Sequence, residues 1–407
     1  MKQNIPSFWV PTLYFAEGLP YVLVMTVSVI LYKNLGVSNA EIAFYTSWLY
    51  LPWVIKPLWS PFVDLLQKKR FWILSMQLLI GAGLAAIAFT IPTTNFFQIT
   101  LALFWLLAFS SATHDVAADG FYMLALSDEK QSFYVGIRNT FYRVAMITGQ
   151  GLMVMVAGLL SKYYDIRIAW SITFLLAAGI FIALSLYHFF VLPKSDLDVK
   201  QPLSKIRELF VSFFQKKGII TSLSFLLLYR WGEAQLAKIA SPFLLDNFDV
   251  GGLALSTEQV GLIYGTIGVV ALLVGGIVGG VLASRYGLKR CLWPMVLAMN
   301  LPNLVYVYLA MVQPQSFALI AFCVEIEQLG YGFGFTAFTL YLIQLSDGEF
   351  KTAHYAIGTG IMALGMMIPG MFAGYIQESL GYTDFFMWIC ICTLPGIFLA
   401  SNIKLLR

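Results

Sequence analysis

The chain has 407 residues, of which 59% are hydrophobic and 11% are charged, with a formal net charge of +4 at pH 7. A water-soluble protein has about a quarter of its residues charged, so this composition excludes a soluble globular protein. A membrane-spanning helix needs about 20 mostly apolar residues. The length therefore allows about twelve spans with short loops and leaves no room for a soluble catalytic domain.

Twelve apolar runs follow one another along the chain. The first continues past Tyr21 without a cleavage site of small residues, which predicts a retained first helix rather than a signal peptide. We expect a six-helix half over 1–192, a cytoplasmic linker with a short amphipathic segment over 193–217, and a second six-helix half over 218–407. The runs lie at 7–32, 41–63, 71–91, 97–125, 134–160, 168–191, 218–245, 258–283, 292–312, 315–345, 354–379 and 383–403.

The distribution of basic residues predicts that both termini are cytoplasmic, because cytoplasmic loops carry the excess of lysine and arginine. The three basic residues assigned to outer loops are Lys33, Lys162 and Arg167. The inner side takes Lys2, Lys68, Lys69, Arg70, Lys130, Arg138, Lys194, Lys200, Lys205, Arg207, Lys216, Lys217, Arg285, Lys289, Arg290, Lys351, Lys404 and Arg407.

The two halves repeat each other. The basic clusters ending at Arg70 and Arg290 are 220 residues apart, and the LSD segments at Ser127 and Ser346 are 219 apart. A constant offset near half the chain length indicates a duplicated six-helix unit, which is the parallel-repeat plan of major facilitator transporters.

Acidic and basic residues within the apolar runs are the candidate functional residues, because a charge at mid-bilayer costs at least about 2.5–3.5 kcal/mol. Asp115 and Asp119 share a face of the fourth helix, and Arg143 on the fifth is the expected counter-charge. The group takes up a proton or forms a static ion pair. His114 points about 100° away from Asp115 and is interpreted as a cavity or packing residue.

Further candidates lie on the first and seventh helices. Glu17 precedes a glycine and a proline that loosen the first helix, so it either lines a cavity or reaches towards the interface. Arg230 and Glu233 are three residues apart and either pair with each other or contact a substrate, since guanidinium binds carboxylate or phosphate bidentately. The predicted substrate-binding set is Tyr14, Glu17, Tyr142, Arg230, Trp231, Glu233 and Glu327.

The tenth helix and the second loop complete the site predictions. Glu325 is expected to join Asp115, Asp119 and Arg143 in proton coupling, while Lys56 is interpreted as an interfacial anchor or a functional residue. The glycines of 330–335 predict close helix packing. The predicted cytoplasmic gate consists of Asp64, Lys68, Lys69 and Arg70.

Nothing in the sequence indicates an enzyme. No phosphate-binding glycine loop precedes a Lys-Ser/Thr pair, and three scattered histidines predict no metal site. The four cysteines lie in apolar surroundings and are interpreted as packing residues. We expect no cofactor and no nucleic-acid partner, a monomeric protein, and transport driven by an ion gradient.

These segments resemble the AmpG-type muropeptide permeases, in the peptide–acetyl-coenzyme A transporter branch of the major facilitator superfamily. The similar segments are FAEGLP (15–20), VIKPLWSPFVD (54–64), SATHDVAADG (111–120), TFYRVAMITG (140–149), LLYRWGEA (227–234) and CVEIEQLGYGFGFTAF (323–338). This chain departs from the family pattern at His114, Ala118, Gly120, Arg230/Glu233 and Glu327.

The resemblance implies a twelve-helix fold and proton-driven import of anhydromuropeptides, which are sugar–peptide fragments of the cell wall, across a bacterial inner membrane. Another peptide, sugar or organic anion is the alternative cargo. A non-transporting membrane receptor is a different class of protein, but it would need no buried charges and usually carries an added soluble domain.

Overall fold

The computed structural model describes residues 5–66, 68–194, 206–348 and 350–403, and every regular element in these ranges is helical. The first part contains α1 (Pro6–Val22), α2 (Ser28–Asn34), α3 (Asn39–Trp48), α4 (Leu51–Leu66), α5 (Lys69–Thr90), α6 (Phe96–Ala125), α7 (Asp128–Met146), α8 (Val154–Leu160) and α9 (Ile166–Val191). The second part contains α10 (Ile206–Phe214), α11 (Ile219–Leu228), α12 (Trp231–Leu245), α13 (Thr257–Val260), α14 (Gly268–Tyr286), α15 (Leu288–Asn300), α16 (Leu304–Val312), α17 (Phe317–Leu345), α18 (Lys351–Cys392) and α19 (Leu394–Asn402).

Among the described residues, nine helices are long and apolar enough to cross a membrane, and a tenth is formed by a bent pair, Glu208–Phe214 with Ile219–Leu245. The predicted runs eleven and twelve fall in one helical stretch, Ala353–Asn402, which is kinked at Gly381 with φ 76°. The second run is divided by a break at Leu49 and Tyr50 into α3 and α4, each shorter than a span. These features reconcile the twelve predicted runs with ten continuous spans and confirm an all-helical, multi-pass membrane protein.

In the described ranges, three spans contain a turn of π-helix, at Leu23–Val27, Ile147–Met153 and Gly261–Ile267. The seventh run is interrupted between α11 and α12, where Arg230 has φ −108° and ψ 21°. Such irregular turns are rare in long helices and frequently occur at functional sites. Arg230 and Glu233 therefore lie at the start of a new helix rather than inside a continuous one.

The contacts divide the chain into two compact units. Unit 1 takes the described residues of Met1–Leu35 and Ile55–Leu203, and unit 2 takes those of Gly36–Val54 and Ser204–Arg407. The predicted halves and linker stay a prediction, and most of the linker (195–205) lies outside the described residues. The amphipathic segment expected within the linker is the helix α10.

Unit 1 depends on close packing of α1 against α7 and against the π-helical turn Ile147–Met153 that follows it. A Cβ atom added at Gly18 would lie 2.9 Å from the carbonyl oxygen of Tyr142, and one at Gly149 would lie 2.2 Å from a methyl carbon of Val22. Below 3.0 Å the backbone or the neighbour has to move, so glycine is what lets α1 approach this closely. The approach brings Glu17, next to Gly18, towards the charged residues of α7.

Unit 2 confirms the predicted packing by the glycines of α17. A Cβ atom added at Gly332 would lie 2.0 Å from the carbonyl oxygen of Leu272 on α14, and one at Gly330 would lie 2.1 Å from that of Ala298 on α15. Small residues at helix crossings allow backbones to approach where lipid provides no hydrophobic driving force. This packing fixes the rotation of α17 and therefore the direction of its acidic residues.

The helix α3 belongs to unit 2, where it packs on α18. The Asn39 side chain donates hydrogen bonds to Gln377 Oε1 at 2.7 Å and to the Tyr382 hydroxyl at 2.9 Å, and Glu378 accepts from the Ala40 backbone N–H at 2.9 Å. These bonds explain why the contacts assign residues 36–54 to the second unit although they precede most of the first unit in sequence.

Candidate functional site

Three acidic side chains meet inside unit 1. Glu17 of α1 and Asp115 and Asp119 of α6 each place one carboxylate oxygen within 4.8 Å of the others. The spacing of the two aspartates brings both to one face of α6, as the sequence predicted, and the close approach of α1 adds Glu17. We call these three residues, with Lys56 and Arg138 described next, the unit 1 cluster.

Two cations pair with two of the three carboxylates. Lys56 Nζ of α4 donates to Asp115 Oδ2 in an ion pair, and Arg138 Nη2 of α7 lies 3.0 Å from Asp119 Oδ1. Between 18% and 32% of each of these four side chains is exposed. Removing one partner of such a partly buried ion pair would leave the other charge uncompensated, which would destabilise the protein.

Aromatic rings hold the Arg138 side chain in place. Its guanidinium carbon lies 4.4 Å from the centre of the Tyr14 ring and 5.7 Å from that of Tyr122. The Tyr14 hydroxyl donates to the Asp119 oxygen that Arg138 also contacts, at 3.0 Å. Tyr14, predicted as a substrate-binding residue, is thus part of the charged network of unit 1.

Within the described part of the chain, Glu17 differs from the two aspartates in having no cationic partner. It is 7% exposed, and its Oε2 atom is buried without a hydrogen-bond partner. The charges that act on it are those of Asp115, Asp119, Lys56 and Arg138. The cluster therefore contains three carboxylates and two cations, and it lacks one positive charge when all three carboxylates are ionised.

The prediction that Arg143 is the counter-charge of Asp115 and Asp119 is corrected by the structure. Arg143 Nη1 donates to the sulfur of Met146 at 3.2 Å, while Arg138, five residues earlier on α7, pairs with Asp119. Five residues on an α-helix correspond to a rotation of about 140°, so the two arginines point in different directions. Arg138 and Lys56 were missed as site residues because the first was assigned to a cytoplasmic loop and the second was left between two interpretations.

His114 takes part in a separate buried network of unit 1. Its Nε2 lies 2.9 Å from Gln77 Nε2, Gln77 Oε1 lies 2.9 Å from His188 Nδ1, and His188 Nε2 lies 2.9 Å from Thr12 Oγ1. The network joins α6, α5, α9 and α1, and its histidines and glutamine are fully buried. This arrangement agrees with the interpretation of His114 as a packing residue.

A second buried charged group lies in unit 2, at the start of α12 and the middle of α17. Arg230 and Glu233 are 7% and 6% exposed, and Glu327 is 1% exposed. Glu327 Oε2 accepts a hydrogen bond from Gln328 Nε2 at 2.9 Å and a long one from the Tyr306 hydroxyl at 3.5 Å. These five residues are the unit 2 cluster, which unites three of the predicted substrate-binding residues.

Arg230 lies among aromatic rings. It donates to the Tyr331 hydroxyl, and its guanidinium carbon lies 5.2 Å from the centre of the Tyr331 ring and 4.9 Å from that of Phe335. Trp231, the first residue of α12, is half-buried beside it. Glu233 feels the charges of Glu327 and Arg230, and its Oε2 atom is buried without a hydrogen-bond partner.

Glu325 does not lie in either cluster, and its predicted role in proton coupling stays a prediction. The residue is exposed on α17, as are Phe322 and Ile326, whereas Glu327 is buried. Two residues on an α-helix are about 200° apart, and the glycine packing turns the face of Glu327 inwards. Tyr142 is half-buried on α7, where it feels the charges of Glu17 and Asp115.

The predicted gate is described only in part. The side chain of Asp64 lies outside the described residues, and Lys68 is exposed at the start of α5. Lys69 is buried, and Arg70 Nη2 donates to the carbonyl oxygen of Phe189 at 2.5 Å, at the end of α9. The gating role of these residues stays a prediction.

The chain is similar in sequence and in fold to known membrane transporters. The family model described as the Major Facilitator Superfamily matches residues 12–374. The chain is 25% identical to a putative transporter AmpG 4 of Rickettsia conorii, over 94% of this chain and 92% of the relative. It is 27% identical to an anhydromuropeptide permease of Escherichia coli K12, over 95% of this chain and 77% of the permease.

The fold is also similar to that of a solved transporter. The crystal structure of a D-xylose–proton symporter aligns with a TM-score of 0.74 at 12% identity, covering 98% of this chain and 99% of the symporter. At this identity the likeness concerns the fold alone.

Proposed function

Because the chain belongs to the Major Facilitator Superfamily and is a membrane transporter, we propose that it is a proton-coupled symporter that imports anhydromuropeptides. The cargo is proposed from the relatives, since the E. coli relative of similar sequence is an anhydromuropeptide permease. The proposed location is a bacterial inner membrane with both termini in the cytoplasm, which rests on the distribution of basic residues.

The observation that carries proton coupling is the unit 1 cluster. Of its five ionisable side chains, all but Lys56 lie in membrane-spanning helices, where charged groups are rare and usually line ion pathways or proton relays. Asp115 and Asp119 each form an ion pair with one of the two cations of the cluster. A change in the protonation of any member therefore alters the electrostatic interactions of the others. A non-transporting receptor gives no physical reason to maintain such a costly group.

The unit 2 cluster supports recognition of a sugar–peptide. The guanidinium of Arg230 offers a donor for a carboxylate of the peptide, and Glu233 and Glu327 offer acceptors for an amino group or for sugar hydroxyls. The rings of Tyr331, Phe335 and Trp231 offer flat apolar surfaces for a sugar ring. The pattern of donors, acceptors and rings fits a zwitterionic, partly apolar cargo better than a simple inorganic anion.

Uptake into proteoliposomes tests this proposal. Purified protein is reconstituted, and accumulation of a radiolabelled anhydromuropeptide is followed with an inward proton gradient and, as the control, after an uncoupler has collapsed the gradient. We expect accumulation above the external concentration only with the gradient. Equal uptake in both conditions would contradict proton symport, and a lack of any uptake would contradict the proposed cargo.

A further inference from the structure

The charge balance around Glu17 points to one residue as the proton carrier. Lys56 forms an ion pair with Asp115, and Arg138 forms one with Asp119. Neither cation therefore remains to neutralise a third carboxylate. Glu17 lies near the middle of the first span, Pro6–Asn34, with a buried and unpartnered oxygen. We infer that Glu17 binds and releases the transported proton; this inference rests on the proposed function.

Burial makes the proton necessary when no other cation is present. An ionised carboxylate without a partner in a site of low dielectric constant costs several kcal/mol even after relaxation, whereas the protonated acid is neutral and offers an O–H donor. The oxygens of Asp115 and Asp119 lie within 4.8 Å of an oxygen of Glu17, which places acceptors for that donor nearby. In the described state Glu17 is therefore assigned the neutral, protonated form.

No other group that faces Glu17 among the described residues supplies the missing positive charge. The π-helical segment Ile147–Met153, which packs on α1, contains no titratable residue, and His188 of α9 is bonded to Thr12 and Gln77. Arg143 contacts Met146. The titratable and charged residues that face Glu17 are Tyr14 of its own helix, Lys56 of α4, Asp115 and Asp119 of α6, and Arg138 and Tyr142 of α7.

A proton fits this position better than a sodium ion. Hard metal cations are held by a shell of oxygen ligands, and here an oxygen of each aspartate is already occupied by an ammonium or a guanidinium group. A metal ion at the centre of the three carboxylates would also be repelled by Lys56 and Arg138. A proton bonds to one oxygen and needs no such shell.

Release of the proton changes the balance of the whole cluster. The O–H bond of Glu17 breaks, the proton passes to water, and the carboxylate keeps the electron pair. The resulting negative charge competes with Asp115 for Lys56 and with Asp119 for Arg138. The two ion pairs join α4 and α7 to α6, so loss of one proton from Glu17 of α1 loosens the contacts among three neighbouring helices of unit 1.

The experiment compares variants in proteoliposomes, with radiolabelled anhydromuropeptide as the probe. Glu17→Gln keeps the shape of the protonated acid and cannot release a proton. We expect loss of gradient-driven accumulation, with exchange of internal for external cargo still detectable. Glu17→Asp retains a titratable group and should retain part of the accumulation. Glu129→Gln, an exposed glutamate of α7, is the matched control and should retain both activities.

The outcomes separate this inference from the proposed function. If the wild-type protein exchanges cargo but does not respond to a proton gradient, the proposed coupling fails. If the wild type accumulates cargo and a folded Glu17→Gln variant does so as well, only the assignment of Glu17 fails, and the proton must be carried elsewhere, for example by Glu327. Accumulation driven by a sodium gradient instead would overturn the choice of a proton.

A measurement without cargo covers the case in which the glutamine variant folds poorly in liposomes. Infrared difference spectra of purified protein detect the carbonyl stretch of protonated carboxylic acids. We expect the wild-type band to lose one component in Glu17→Gln and none in Glu129→Gln. An identical band in wild type and Glu17→Gln would mean that Glu17 is ionised, and the inference would be wrong.

Discussion

The two buried clusters contain the same kinds of side chain but balance their charges differently. In unit 1, two ion pairs leave Glu17 as a third carboxylate without a partner. In unit 2, Arg230 is the one cation of the cluster beside Glu233 and Glu327, and Glu327 is supported by neutral donors, Gln328 and Tyr306. Each cluster is short of one positive charge when its carboxylates are ionised.

The difference lies in what could provide that charge. The Glu17 oxygen without a hydrogen-bond partner is surrounded by charged residues that already form ion pairs with one another. This favours a proton, which is the smallest cation, over a larger ion. The unit 2 cluster is bordered by aromatic rings and neutral hydrogen-bonding groups, which suits a larger ligand that carries an amino group. The comparison therefore supports the proposals that the coupling ion binds in unit 1 and that the cargo binds in unit 2.

The largest effect is expected from a substitution that removes a positive charge from the unit 1 cluster. Lys56→Met leaves Asp115 without its cation, and we expect the free energy of unfolding to fall by about 3 kcal/mol, the low end for a broken buried pair, because 23% of the Lys56 side chain is exposed. Thermal unfolding in detergent measures the loss. Lys130→Met, at an exposed site of α7, is the control and should change stability by less than about 0.5 kcal/mol.

A double variant checks the cause of that loss. Adding Asp115→Asn to Lys56→Met removes the stranded charge and should recover part of the stability. If the single variant is as stable as Lys130→Met, the ion pair does not stabilise unit 1, and the charge count on which the comparison rests would be wrong.

A smaller effect should distinguish the two arginines of α7. Arg138→Gln removes a charged contact with Asp119 and the stacking on Tyr14, for which we expect a loss of about 2 kcal/mol. Arg143→Gln removes a contact with the sulfur of Met146, and its loss should stay below about 1 kcal/mol. Chemical denaturation of both variants provides the test, and the opposite order would restore Arg143 as the counter-charge.

The smallest effect concerns cargo affinity in unit 2. Glu327→Gln removes a buried acceptor, and we expect the Kd for an anhydromuropeptide to rise about tenfold, or about 1.4 kcal/mol. Glu325→Gln, two residues away on the exposed face, is the matched control and should leave the Kd near that of the wild type. Calorimetry measures both, and equal weakening in the two variants would remove the unit 2 cluster from cargo recognition.

Hydropathy was sufficient to predict the helices but not their irregularities. The apolar runs and the glycines of α17 could be recognised because composition and small residues act locally. The π-helical turn at Ile147–Met153 and the interruption before Trp231 could not, because the local sequence does not show where the backbone leaves α-helical geometry. They depend on which neighbouring helix packs against each turn.

For the charged site, the sequence predicted several of the residues but not which of them pair with each other. Asp115 and Asp119 share a face because four residues nearly complete a helical turn, which the sequence alone shows. The choice between Arg138 and Arg143, and between Glu325 and Glu327, depends on the rotation of α7 and α17 about their axes. Packing sets that rotation, as with the glycines of α17, and a single sequence does not record it.

The central claim, that cargo and protons move together, is tested most directly by watching protons while only the cargo is driven. Proteoliposomes are prepared without a proton gradient in a weakly buffered solution, and anhydromuropeptide is added outside. The account predicts that the external solution becomes more alkaline as cargo enters, and that Glu17→Gln shows no such change. Cargo entry without alkalinisation in the wild-type protein would contradict proton symport and, with it, the role assigned to the unit 1 cluster.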